Sequence, residues 1–407
     1  RPGPRRSICL LGPDGPRRWS GLTAPPGAGR GRRGTVDPRI TKLAGLLTNY
    51  SCGIKPGEKL LVECNGFDAV PLVHEVVHAA TLAGGIVFTN IRHDRLIRRF
   101  LHDADEEQIK AQAKYDTIRM KDMQCYIGVR GTPNTMEMGD VPSDKLRLWN
   151  KYYNDPVHMK VRVPKTRWVV MRWPNDSMAQ NARLPLHPFE DFYFDVCTLD
   201  YAKMSRAMDP LKAVMEDAEQ VVIKAPGTDL TFSIKGMPAI KCDGHVNTPD
   251  AELYTAPVKE SINGTLRFNT ASLFEGTVFE SVSLVFKNGK VVEAEAGANT
   301  EKLNSILDRD KGARFTGEFA FGFNPYIKTA LLDTLFDEKI AGSIHFALGN
   351  SYDDCDNGNK SSIHWDMVQI QRADHGGGEI RFDGKVVRSD GVFVPKELKG
   401  LNPDKLK

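Results

Sequence analysis

The sequence predicts an α/β N-terminal domain with a mostly parallel sheet, followed by an α+β C-terminal domain with antiparallel hairpins. Three observations carry that prediction. Near the start of the periodic region an apolar strand, a helix and a second strand follow one another, which requires a parallel pair joined by a crossover. From about residue 220 the character turns to short β runs. Two of those runs are split by Asn288-Gly289 and Asp383-Gly384, the dipeptides that close two-residue hairpins. With 407 residues the chain exceeds what a single core usually serves. The expected division is an extension over 1–34, an α/β domain over 38–204 and an α+β domain over 205–407.

Taken in order, the compact run KLLVEC (59–64) reads as a strand, DAVPLVHEVVHAATLAGG (68–85) as a helix closing on glycines, and GIVFTNI (85–91) as the next strand. QCYIGVR (124–130) and TRWVVMRW (166–173) supply two more strands around a helix near 143–153. In the second half, SLVFKNGKVVEA (283–294) and IRFDGKVVRS (380–389) are hairpins, and NTEKLNSILDRD (299–310) has Leu303, Ile306 and Leu307 at helical spacing.

The formal net charge of +3 is unevenly placed. Residues 1–34 hold eight arginines against Asp14 alone, a local +7, which leaves −4 on the remainder. This Arg/Pro/Gly-rich stretch lacks the apolar residues needed to bury surface, so a disordered or artefactual extension is expected and nucleic-acid binding is not. No apolar run approaches the roughly 18 residues of a membrane helix. Seven scattered cysteines without a CxxC pair fit neither a disulfide framework nor a zinc ribbon, and a reducing cytoplasm is the expected compartment.

HEVVH (74–78) has the spacing of a helical zinc site. The apolar stripe of that helix is Val73, Val76, Val77, Ala80 and Ala83, however, and His74 and His78 lie off it. No third ligand follows at the usual spacing, so a solvated helix face is expected. A better ligand set lies downstream. In SIHFAL, Ile344, Phe346 and Leu348 share one face of a strand and His345 takes the other; in SIHWDM, His364 and Asp366 oppose Ile363, Trp365 and Met367; in FTGEFAF, Glu318 opposes Phe315, Phe319 and Phe321. Each alone is the wet face of an antiparallel strand. Together they are the donors that zinc, cobalt or manganese prefer. Asp353, Asp354, Cys355 and Asp356 read as a polar loop, and DHGGGE (374–379) as a glycine-rich connection.

In order, TPDAELYTAPV (248–258), GEFAFGFNP (317–325), SIHFALGNSY (343–352) and NGNKSSIHWDM (357–367) resemble the aminopeptidase T and aminopeptidase S family of dinuclear metallo-aminopeptidases. The similarity extends to RITKLAGLLTNYSCGIKPGEKLLVE and FEDFYFDVC but not to residues 1–34 or to HEVVH. The resemblance implies two divalent ions (Zn, Co, Mn or Mg) held by Glu252, Glu318, His345, His364 and Asp366, one carboxylate bridging, with Tyr352 beside the site. It further implies peptide substrates with a free N-terminus and a homodimer. Glu252 or Glu318 would move the proton from water to the leaving amine, and Tyr352 would donate to the oxyanion. Two alternatives stand beside this: another dinuclear metallohydrolase acting on phosphoesters or amides, and a non-catalytic α/β metal-binding module.

Overall fold

The parallel sheet forms where the apolar runs place it. In the computed structural model, which describes residues 36–134 and 136–407, strands β1 (Lys59–Asn65), β2 (Ile86–Arg92), β3 (Cys125–Arg130) and β4 (Arg167–Arg172) lie in the order β2-β1-β3-β4, all parallel. The extension expected over 1–34 lies outside the described residues. Helix α1 (Pro38–Gly45) starts at Asp37, whose carboxylate accepts the Arg39 N–H, with proline at the first helical position. Helix α2 (Val70–Leu82) buries Leu72, Val73, Val76 and Ala80. Helices α3 (Asp94–Asp103) and α4 (Glu106–Lys121) then return the chain to β3. Neither is anticipated by the sequence reading; α3 carries a stripe of Ile97, Phe100 and Leu101 at helical spacing, whereas charged side chains break up the apolar periodicity of α4. The helix expected near 143–153 spans Ser143–Trp149 and continues through Asn150–Arg162 with a wider winding past Pro156.

A fifth parallel strand comes from the second half of the chain: Asn247–Thr248 pairs with β4 through Val170↔Asn247 and Met171↔Thr248. Asp37–Lys407 accordingly packs as one compact unit.

Two antiparallel sheets make up the rest. The larger has eight strands between Gln220 and Phe393 and includes both anticipated hairpins. Their turn residues adopt the left-handed conformation that a type I′ turn needs, Asn288 and Gly289 at φ 49° and 79° and Asp383 and Gly384 at 48° and 79°. Helix Thr300–Leu307 buries Leu303, Ile306 and Leu307 as the spacing predicts. The smaller sheet has five strands, in the order His364–Ile370, Ser343–Gly349, Thr316–Gly322, Glu252–Thr255, Ile240–Cys242. One of its faces is mainly apolar: Phe319, Phe321, Phe346, Leu348, Trp365 and Met367 are buried and pack toward the larger sheet, with Phe346 5.6 Å from Phe232 between ring centres. Each such side chain contributes roughly 1.5–3 kcal/mol by leaving water. That burial fixes the register of alternation, and so decides which way the polar residues between them must face.

Candidate metal centre

The polar face of the five-stranded sheet gathers all five predicted ligands. Glu318 on the middle strand stands opposite Ala347, which stands opposite Asp366 on the outer strand. His345 pairs in register with Ala320, His364 with Gly349, and Glu252 with Gly322. Small residues thus alternate with the donors across the strands and leave space above the sheet. Gly322 is required for a further reason: a Cβ there would lie 2.5 Å from the Glu338 carbonyl oxygen, so only glycine lets the 336–340 segment approach.

His345 Nε2 is 3.1 Å from Glu318 Oε1 and 3.4 Å from Glu252 Oε2. His364 Nε2 is 3.4 Å from Glu318 Oε2 and 3.5 Å from Asp366 Oδ1. Two donor groups result, Glu252–Glu318–His345 and Glu318–His364–Asp366, each with its atoms within 4.8 Å of one another and with Glu318 common to both. All but His364 are buried, and His364 Nε2, Asp366 Oδ1 and His345 Nδ1 lack hydrogen-bond partners. Buried polar atoms left in that state are costly, and a divalent cation among them would relieve the cost. The donor set of two imidazoles and three carboxylates suits zinc, cobalt or manganese, so the residues fit the metals expected of them. His364 Nδ1 donates to the Asn350 carbonyl oxygen at 2.7 Å, which fixes its tautomer and leaves Nε2 facing the carboxylates.

The electrostatics follow from this crowding. Burial alone would lower His345, but hydrogen bonding to Glu318 and the charge of Glu252 outweigh it and raise the imidazole to about 9. Burial opposes His364 likewise; Asp366 and Glu318 raise it to about 12. Burial would raise Glu318 and Asp366, yet the two imidazoles hold Glu318, and His364 holds Asp366, below the usual carboxylate range. Both histidine values exceed the ordinary 6.5. The ion pairs of His345 therefore stabilise the metal-free fold fully below about pH 6.5 and lose that contribution as the pH rises through about 9, whereas those of His364 persist toward about 12. Metal binding needs neutral imidazoles, so its pH dependence has the opposite sign. The expected result is that metal added at pH 7 releases protons and that affinity rises toward pH 9 while the thermal midpoint of the metal-free protein falls; calorimetry in two buffers and thermal scans check this.

Sequence reasoning missed two neighbours. Lys339, 1% exposed, lies 2.8 Å from Glu252 Oε2 and donates to Glu338 Oε2 at 2.6 Å. Burial would lower it, but Glu252 and Glu338 hold it charged. An adjacent Glu-Lys pair in sequence reads as surface; the only cue was its position between the buried Phe336 and Ile340. Asp250, 1% exposed, forms with Cys242 and Glu252 a third donor group beside the first, and burial pushes it up to about 7.

Tyr352 stacks obliquely on His364, ring centres 4.5 Å apart. Although its side chain is half exposed, burial first and then the charges of Glu318 and Asp366 push its phenol up, so it keeps its proton. The three aspartates of the polar loop are as expected, Asp354 accepting from the Tyr254 hydroxyl and Asp353 and Asp356 pairing with Lys360, but Cys355 between them is buried against Tyr254 and Ala320. In HEVVH, His74 and His78 are exposed on α2, while Glu75 is buried and accepts from Thr41.

Comparison with known proteins sets this geometry in a family. Residues 36–389 match the model of the thermophilic metalloprotease (M29) family. The chain belongs to that family. Among curated relatives, the chain is 26% identical to aminopeptidase 2 of Geobacillus stearothermophilus over 364 residues, 78% of this chain and 84% of that one. The solved structure of wild-type AmpT from Thermus thermophilus aligns with a TM-score of 0.72 and 22% identity, over 88% of this chain and 99% of that one. A 2,5-dihydroxypyridine dioxygenase structure from Pseudomonas putida aligns at 0.56 and 12% identity, covering 88% and 98%. The fold alone therefore does not select the reaction; the side chains on it do.

Proposed function

We propose that this metalloprotease is an aminopeptidase acting on peptides with a free N-terminus, with two divalent ions held by Glu252, Glu318, His345, His364 and Asp366. One observation carries the reading: two donor groups, buried except for His364, share a single carboxylate, that of Glu318. The similarity to proteins named aminopeptidases supports the same substrate class. Bound there, the ions would supply an acidified water and a Lewis acid for the scissile carbonyl.

The chain's own residues do the rest. Glu318 stands in both donor groups and faces both imidazoles, which leaves it poorly placed to move a proton. Glu252 is the better proton shuttle to the leaving amine, and Lys339 beside it holds its orientation. Tyr352, protonated and at the rim of the site, is placed to donate a hydrogen bond to the developing oxyanion. Tyr352→Phe is expected to lower kcat by about 10²-fold with a smaller effect on KM; an unchanged kcat removes the phenol from the mechanism. Which of zinc, cobalt, manganese or magnesium is native remains part of the proposal, as does the homodimer. A reducing cytoplasm is proposed from the free cysteines among the described residues. No described helix is long and apolar enough to cross a membrane.

The test is a panel of aminoacyl anilides, N-acetylated anilides and phosphate monoesters with added Co²⁺ or Zn²⁺. Hydrolysis of the free anilides alone is expected. Turnover of the phosphate esters instead would assign the centre to another metallohydrolase, and no turnover at all would leave a binding module.

A further inference from the structure

A second cavity, of about 590 Å³, lies at the carboxyl ends of the parallel strands. The final residues of β1, β2 and β3, namely Asn65, Arg92 and Arg130, all line it. In the order β2-β1-β3-β4 the chain leaves β1 to one side and returns to the other at β3, so the cavity sits where the strand order reverses, the place at which open α/β sheets bind ligands. Its volume is in the range of small-molecule sites. It is separate from the metal centre. The side chains of Leu61, Tyr126 and Trp168, on its face of the sheet, pack with the helices between residues 101 and 161. The opposite face, through Leu60, Val62 and Ile127, packs with Phe336, Val368 and Ile370 of the C-terminal half.

The cavity's charge is not balanced from within. Arg92 is accounted for, with Glu63 at 3.5 Å and Asp116 at 2.8 Å. Asp155 is engaged by Lys160. Among the described residues, Arg130 and Arg162 have no carboxylate within ion-pair distance. Arg162 is 8% exposed; its guanidinium lies 4.1 Å from the Trp168 ring and 5.2 Å from Tyr126, its Nε donates to His158 Nδ1, and its buried Nη1 has no acceptor. Among the described residues, the other deeply buried arginine is Arg388, which donates from both terminal nitrogens, to the Ser343 carbonyl and to Gln371 Oε1, and leaves only its Nε without a partner. A guanidinium withdrawn from water with a donor idle is costly unless an anion meets it. His158, lowered to about 4 by burial and by the neighbouring arginines against the pull of Glu63, stays neutral and accepts from Arg162.

We propose that this cavity binds a small organic oxyanion, a carboxylate or a phosphate ester, through Arg162 Nη1 on its wall and Arg130 at its mouth. Planar, bidentate recognition of such groups is what arginine provides and lysine does not. Trp149, held by stacking 3.9 Å from the buried Tyr153, presents a surface for the apolar part of the ligand.

Inorganic phosphate and succinate, each against sodium chloride at matched ionic strength, are titrated into the full metal-loaded chain with calorimetry and thermal midpoint as readouts. Binding by phosphate alone identifies a phosphate site, by succinate alone a carboxylate site, and by both a site that accepts either oxyanion. In each case Arg130→Gln should weaken binding at least tenfold while anilide hydrolysis stays at the wild-type rate, and Arg162→Lys should weaken it comparably. Arg130 is exposed at a strand end, so its variant tests the site even where a change at the buried Arg162 disturbs folding. Absence of binding by both anions, or equal binding by wild type and Arg130→Gln, overturns the proposal.

Discussion

Glu318→Gln is expected to reduce anilide hydrolysis by at least about 10³-fold, roughly 4 kcal/mol of transition-state stabilisation. The change is nearly isosteric and removes charge from a side chain that is 2% exposed and faces both imidazoles. Because Glu318 belongs to both donor groups, its loss weakens both rather than one. His345→Ala should be milder toward the outer group of His364 and Asp366, which does not contain it. Metal content read alongside rate distinguishes these cases: Glu318→Gln should fall short at both positions, and His345→Ala mainly at one. A Glu318→Gln enzyme of near wild-type rate would mean that the shared carboxylate is not at the centre of the chemistry.

Lys339→Met carries the second large expected effect, on stability. The ammonium lies between Glu252 and Glu338, and all three side chains are withdrawn from solvent. Removing the cation leaves carboxylates buried without their partner, a change that costs about 3–5 kcal/mol. Burial already raises Glu338 well above the ordinary carboxylate value, with Lys339 pulling it down, so loss of the lysine should leave Glu338 protonated. The metal-free variant should unfold at markedly lower denaturant concentration than metal-free wild type. Saturating divalent metal should restore part of the difference, since charge returns beside Glu252. Unfolding midpoints with and without metal check this. Equal midpoints for the two metal-free proteins would show that Lys339 is dispensable to the cluster.

The sequence carried the site further than it carried the fold. His345, Glu318 and Asp366 were legible because each interrupts a run such as Ile344, Phe346 and Leu348 whose alternate members must be buried, and burial of one face dictates the other. Glu252 has no such run; it precedes Leu253 by one residue and sits on a four-residue strand, and only the resemblance to a family singled it out. Lys339 and Glu338 were invisible because their burial is created by a close approach across Gly322, a long-range event that leaves no local period. Helix α4 escaped for a related reason: its buried residues, Ile109, Ala113 and Met120, are few and charged residues fill the intervening turns, whereas α3 has a legible stripe of Ile97, Phe100 and Leu101. The parallel strand Asn247–Thr248, two residues long, is set by its partner β4 and not by its own sequence.

Metal stoichiometry tests the central claim most directly. Chain freed of metal by chelation and titrated with Co²⁺ at pH 7.5, followed by absorbance and by elemental analysis, should take up two ions per chain, with hydrolysis appearing as they bind and with Glu318→Gln failing to reach two. Saturation at a single ion in wild type, or full occupancy unaffected by Glu318→Gln, would contradict a paired centre built on the shared glutamate.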